Sequence, residues 1–353
     1  MNVNRLIQVR DGEPLNAFRR FLTAWWKHYK LEALLAPVEV PAQSTLVKQV
    51  IVDPAKLAVV NPFAPVMLTN VAATIGEFAR RYAGRRVAAI LRPCELRTLV
   101  ELRRHGRLPP EAEAVIILST DCLATFPTEH YTRRVQLHGI AAVTREALMY
   151  AEAGGLSPNE FRLACQTCVW PAPHGAEITL GLLGVNPAEY LLLIAHDEAV
   201  DARLSLEAVT DGLATESQVA RREVAVGAVA DQRAATRAHL ESVTRDGHRF
   251  GDLGSALGWF ANCSLCGDCL DACPLYNGEL SGMLGVHGAR PALAELVDVS
   301  RWLASCSGCG MCEAACEHNV PLMLLVSSLS RQIQRELHYT AGDPARLLPW
   351  ASG

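Results

Sequence analysis

Eight of the twelve cysteines in this 353-residue chain fall into two runs of identical spacing. The first is Cys263-Ser-Leu-Cys266-Gly-Asp-Cys269-Leu-Asp-Ala-Cys273-Pro274, the second Cys306-Ser-Gly-Cys309-Gly-Met-Cys312-Glu-Ala-Ala-Cys316-Glu317. Soft thiolates suit iron–sulfur clusters. Three of them at C-x2-C-x2-C spacing can wrap one cubane, with Gly267, Gly308 and Gly310 leaving room for the backbone to bend. The fourth begins a helical segment and, in two-cluster ferredoxins, ligates the other cluster. The spacing thus predicts one [4Fe-4S] cluster on Cys263, Cys266, Cys269 and Cys316, and another on Cys306, Cys309, Cys312 and Cys273. Structural zinc would show paired C-x2-C knuckles with four ligands instead. The second run ends in Cys-Glu where Cys-Pro is usual, which sets Glu317 and His318 beside a cluster whose potential charge can tune.

Cys94, Cys122, Cys165 and Cys168 remain, the number one more cubane needs. Cys94 begins a helix after a strand, Cys122 follows another strand end, and Cys165-Gln-Thr-Cys168 is a C-x2-C loop ahead of Trp170-Pro171-Ala172-Pro173. Strand ends of an α/β sheet converge on one rim, so a shared site is reasonable. Buried inert cysteines, a redox-active pair and zinc stay open on spacing alone.

The elements that must position these residues divide the chain. Residues 14–36 read as a helix closed by Pro37. Strands are expected at 45–52, 57–60, 86–91, 115–118, 178–183 and 191–194, and helices at 71–82, 94–105 and 140–153. This alternation predicts an α/β domain over 1–200. The polar, Ala-, Glu- and Arg-rich stretch 201–249 reads as a helical connector, 250–340 as a mainly α-helical ferredoxin domain, and 341–353 as a tail. Gly251-x2-Gly254-x3-Gly258 lacks nucleotide-binding spacing and reads as a turn. Net charge is −4 with a pI near 6.3, which argues against nucleic acid as a partner. The N-terminus lacks a signal-peptide core and no run reaches the length of a membrane span, which predicts a cytoplasmic protein with reduced thiols.

Two resemblances follow. The cysteine runs are separated by residues 274–305, with a helical stretch at 291–303. Over residues 250–330 this resembles the α-helical ferredoxin domain of the heterodisulfide reductase small subunit and of the succinate dehydrogenase iron–sulfur subunit. Arg92-Pro93-Cys94-Glu95-Leu96-Arg97, and Cys165-x2-Cys168 followed by Ala176-Glu177-Ile178-Thr179-Leu180-Gly181-x2-Gly184, resemble signatures of the coenzyme F-420 hydrogenase/dehydrogenase beta-subunit family. That resemblance spans residues 45–195, with Glu177 where the family has Asp. The order of parts is also similar to the beta subunit of formate dehydrogenases of this type.

The second resemblance implies an N-terminal flavin domain binding FAD, and a third [4Fe-4S] cluster on Cys94, Cys122, Cys165 and Cys168. It points to Arg92, Glu95, Thr120, Glu177 and Gly181 as flavin contacts, although Glu95 could equally cap its helix. The implied function is an oxidoreductase subunit. It would carry electrons between a two-electron carrier (deazaflavin, NAD(P)H or a flavoprotein) and a formate dehydrogenase, hydrogenase or heterodisulfide reductase partner. A flavin-free electron wire acting as a docking adaptor, and a structural or sensory iron–sulfur protein, are the alternatives. No other catalytic constellation stands out; His174, six residues from Cys168, is the histidine that could lie near the proximal site.

Overall fold

The computed structural model describes residues 1–10, 12–153, 160–246, 262–276 and 293–350. The Gly251–Gly258 turn and the start of the expected 291–303 helix lie outside the described residues. Seven strands form one sheet in the order β1-β7-β6-β5-β4-β2-β3. They are β1 (Val3–Gln8), β2 (Ala33–Val40), β3 (Thr45–Ile51), β4 (Val87–Leu91), β5 (Ile116–Thr120), β6 (Ile178–Gly181) and β7 (Tyr190–Ala195). β2, β4, β5 and β6 run parallel, while β3, β7 and β1 are antiparallel to their neighbours. The central parallel strands β4 and β5 are buried along their whole length, and their cores, Val87–Leu91 and residues 116–118, are apolar runs.

Alternation divides those runs between two cores. Ala88 and Ile90 of β4 and Ile116 and Leu118 of β5 face α1 (Pro14–Tyr29), whose Ala17, Phe18, Phe21, Leu22 and Trp25 form one buried stripe. Val87, Ala89, Leu91, Val115 and Ile117 face the other way, onto α2 (Ile75–Arg81) and α3 (Pro93–Arg104). The first helix is shorter than its sequence suggests. Lys30 takes a left-handed φ of 57° and ends α1, and the apolar run after it becomes β2, with Pro37 inside the strand. Residues 57–60 are not a strand. Pro54–Val59 is a 3-10 turn whose start is capped by the Asp53 side chain accepting from Ala55 N–H.

The chain continues through α4 (Thr128–His138), α5 (Ile140–Glu152), α6 (Leu163–Gln166), α7 (Glu198–Arg203) and the long α8 (Glu216–Asp246). α8 packs on the sheet domain: Arg222 forms a two-point pair with buried Asp121, at 2.6 and 2.9 Å. The cysteine-rich part contributes α9 (Asp268–Asp271), α10 (Leu293–Ala304), α11 (Met311–Ala314) and α12 (Leu322–Glu336). The segment after α12 returns to α3. There the Tyr339 hydroxyl and the Gly342 N–H both donate to buried Glu101, and Arg97 donates to Ala341 O. No described helix is long and apolar enough to cross a membrane.

Candidate metal centres and cleft

β4 and β5 lie side by side with the same polarity, so their carboxyl ends present Cys94 and Cys122 on one rim. The loop bearing the C-x2-C pair is drawn to this rim. Cys122 N–H donates to Pro171 O at 2.6 Å, Arg162 N–H donates to Thr125 O at 2.9 Å, and Trp170 lies under the Arg97 guanidinium. The four thiols therefore share one buried neighbourhood. Burial pushes the Cys94 thiol well above its ordinary value, and Cys122, Glu95, Cys309 and Cys168 add to the effect. Cys122 is raised by burial and by Cys165 and Cys168. Cys165 differs: burial opposes ionisation, but Arg162, the Thr125 hydroxyl at 3.2 Å and Arg233 outweigh it, and the thiol is lowered.

The two cysteine runs pack against each other through α9 and α11. Cys306 is pushed up to about 12 by burial and by Cys309, with Cys273 also contributing. Cys312 is raised well above its usual value by burial, then by Cys306, Cys309 and Cys273. Cys273 thus lies with the second run, on the sheet-domain side. Cys269 is raised by burial and then by Cys316 and Cys266, so the last cysteine of the second run lies with the first. Cys263 is half-buried and Cys266 is exposed. Among the described residues no three His, Cys, Asp or Glu side chains are gathered around a single-ion site.

The loop of the second run is seated on α3 and α6. Arg97 donates to Ser307 O at 2.8 Å, the Thr98 and Ser307 hydroxyls are 2.7 Å apart, and His105 Nε2 is 2.8 Å from Ser305 Oγ. Gly310, at φ 71°, approaches α6 so closely that a Cβ there would stand 2.4 Å from Ala164 Cβ. This glycine makes room for a helix as well as for a bend in its own loop.

The same carboxyl rim borders a cleft of about 470 Å³, within the range of small-molecule sites. Leu46, Val50, Phe78 and Tyr82 give it apolar walls; Lys48, Arg81 and Arg92 give it positive charge. Met67 lines it and touches Cys94, with Sδ 3.9 Å from Sγ. Of the residues singled out for a flavin, Arg92 and Thr120 line the cleft. Glu95 is fully buried below. Its carboxylate accepts from Arg92 N–H at 2.8 Å, Val71 N–H at 3.3 Å and Lys48 Nζ at 3.0 Å, so it caps α3 and reaches the cleft through Lys48. Burial lowers the Lys48 ammonium below its ordinary value, against the pull of Glu95.

Glu177 and Gly181 are not among the residues lining this cleft. Glu177 accepts from Ile117 N–H and pairs with Arg203. Gly181 lies against Arg222, where a Cβ would stand 2.6 Å from that side chain's Cδ. His174 packs edge-on against Trp170, with ring centroids 5.5 Å apart. Sequence reasoning missed Lys48, Met67 and Arg233, whose neighbours are distant in the chain, and Arg162, which reaches Thr125 as well as nearby Cys165.

Residues 259–320 match the 4Fe-4S dicluster domain family. The match supports two [4Fe-4S] clusters in this dicluster segment. No curated protein matches the chain. Among solved structures, a chain of the xenon-derivatised F420-reducing [NiFe] hydrogenase complex from Methanosarcina barkeri is similar over 68% of this chain and 91% of its own. Identity is 11% and the TM-score 0.48.

The donor chemistry fits a cluster at each of the three cysteine groups. Each group offers soft thiols that can give up their protons to iron on binding. The sheet-domain group also has buried guanidinium N–H donors without partners: Arg162 Nη1, and Arg233 Nε and Nη1.

Proposed function

We propose that the chain is an iron–sulfur flavoprotein subunit of an oxidoreductase, relaying electrons between a two-electron carrier and a one-electron partner. The observation that carries this reading is continuity. The cleft wall at Met67 touches Cys94, and Cys94 neighbours Cys309 of the dicluster segment. Cys94, Cys122, Cys165 and Cys168 would hold a third [4Fe-4S] cluster. Cys306, Cys309, Cys312 and Cys273 would hold the next, and Cys263, Cys266, Cys269 and Cys316 the outermost. A flavin bound in the cleft would supply the conversion between hydride chemistry and the single-electron steps that clusters accept.

The chain's own residues suit these roles. Lys48 and Arg92 set positive charge against whatever the cleft binds, which favours an electron-rich, anionic ring. Phe78 and Tyr82 supply apolar surface for a planar ring. Deazaflavin, NAD(P)H or a partner flavoprotein would meet the cleft. A formate dehydrogenase, hydrogenase or heterodisulfide reductase subunit would meet the outer end. The parts would be a flavin and proximal-cluster domain (1–200), a helical connector (201–249), a ferredoxin domain (250–340) and a tail (341–353).

Anaerobic reconstitution tests this reading. It should give about 12 iron per chain and one acid-released FAD. Iron near eight would remove the third cluster. Full iron with no flavin uptake would leave a flavin-free wire.

A further inference from the structure

We propose that Arg162 and Arg233 form a cationic clamp that donates hydrogen bonds to the sulfurs of the cluster held by Cys94, Cys122, Cys165 and Cys168, and so raises that cluster's reduction potential. The inference rests on the third cluster proposed above and gives it an electrostatic partner.

Arg233 lies mid-way along α8 and is 3% exposed. A guanidinium buried this deeply normally finds partners for its five N–H groups, because an unpaired buried charge is among the costliest arrangements in a protein. Arg233 makes one bond, from Nη2 to Cys122 O at 3.3 Å, and leaves Nε and Nη1 without partners. Arg162 repeats the pattern from the other side. Its Nε donates to Thr125 Oγ1 at 2.8 Å and its Nη2 lies 3.9 Å from Cys165 Sγ, while the buried Nη1 has no partner. Two cations from distant segments thus converge on this cysteine group with three donor nitrogens left without partners.

The chemistry of the missing acceptor follows. It must be anionic, because two guanidinium charges are buried here. A cubane with four thiolate ligands carries net negative charge, and its inorganic and cysteine sulfurs accept N–H hydrogen bonds. Reduction adds an electron, and the two fixed positive charges stabilise that added charge more than they stabilise the oxidised state. The potential therefore rises. Near Cys306, by contrast, the N–H groups of Arg97 are used on Ala341 O and Ser307 O.

Potentiometric titration followed by electron paramagnetic resonance, with parallel iron analysis, tests the clamp on the reconstituted full chain. The wild type should hold about 12 iron. Arg233→Gln removes the charge and should lower the midpoint of one cluster, leaving the other two unmoved. Arg233→Lys keeps the charge and should restore most of that shift. Should Arg233→Gln lose four iron, the clamp predicts that Arg233→Lys retains them. A full-iron Arg233→Gln protein with all three midpoints unchanged overturns the clamp, and so does equal iron loss in both variants, which would mean packing and not charge. A wild type saturating near eight iron overturns the third cluster itself and the clamp with it.

Discussion

Burial governs the chemistry of individual residues here more than charge does. Cys94, Cys122, Cys269, Cys273, Cys306 and Cys312 are raised because the interior disfavours thiolate, whereas Cys165 is lowered because Arg162 and Thr125 are aimed at it. His105 shows the same physics outside the thiols. Burial lowers its imidazole below the ordinary value, and Arg107 and Arg301 add to the effect. Glu101, 4.0 Å away, is already held by Tyr339 and the Gly342 N–H. The unfolded chain takes up a proton near pH 6.5 that the folded chain refuses. Stability should therefore fall as pH drops through that value, and stop falling on this account once the folded imidazole itself titrates. Denaturant melts at pH 7.5 and 5.5 should show a smaller pH-dependent loss for His105→Asn than for wild type. An identical loss in both would show that His105 is not coupled to folding.

At the scale of elements, the part legible in the sequence was the part whose determinants are local. Ligand spacing lies within twelve residues, so both cysteine runs could be read directly, and the apolar strands β4 and β5 likewise. The β1 strand was missed because its half-polar sequence forms a sheet edge, and α4 because most of its sequence is polar. The α1 helix was overextended because a single left-handed residue, Lys30, ends it where apolar periodicity continues into β2. The cleft lining was only partly legible: Arg92 follows β4 and Thr120 ends β5, whereas Lys48 is placed by hairpin register. Glycines in the second cysteine run separate local from long-range causes. Gly308 and Gly310 share a φ of 71°, but only Gly310 has an atom, Ala164 Cβ, in the way of a new Cβ. Gly308→Ala should cost about 1–2 kcal/mol from backbone strain alone. Gly310→Ala should cost about 2–4 kcal/mol, because α6 must also shift. Equal denaturation midpoints for the two variants would show that the Gly310–α6 contact is not a constraint.

At the scale of the whole molecule, the ligation proposed above would set the three cysteine groups in a sequence from interior to surface. Cys94 senses Cys309, and Arg97 stands between Cys168 and Cys306. Cys273 joins the Cys306 group, while Cys269 and Cys266 join Cys316. Of the twelve cysteines, all among the described residues, Cys266 is the exposed one, and Leu265 beside it is 87% exposed. On the proposed function, electrons from the cleft would therefore leave near Cys266. Cys266→Ser should disable the outermost group and stop delivery to an external one-electron acceptor. Because the inner groups keep all their cysteines, a two-electron donor should still reduce the flavin and the clusters behind it. Cys309→Ser should break the path further in: flavin and proximal cluster would be reduced, and the Cys269 group would stay oxidised after mixing. Rapid-mixing spectroscopy distinguishes the two variants, since general unfolding would abolish every phase together. Undiminished delivery to the acceptor by the Cys266→Ser protein would place the exit elsewhere and reverse the proposed order of the two dicluster groups.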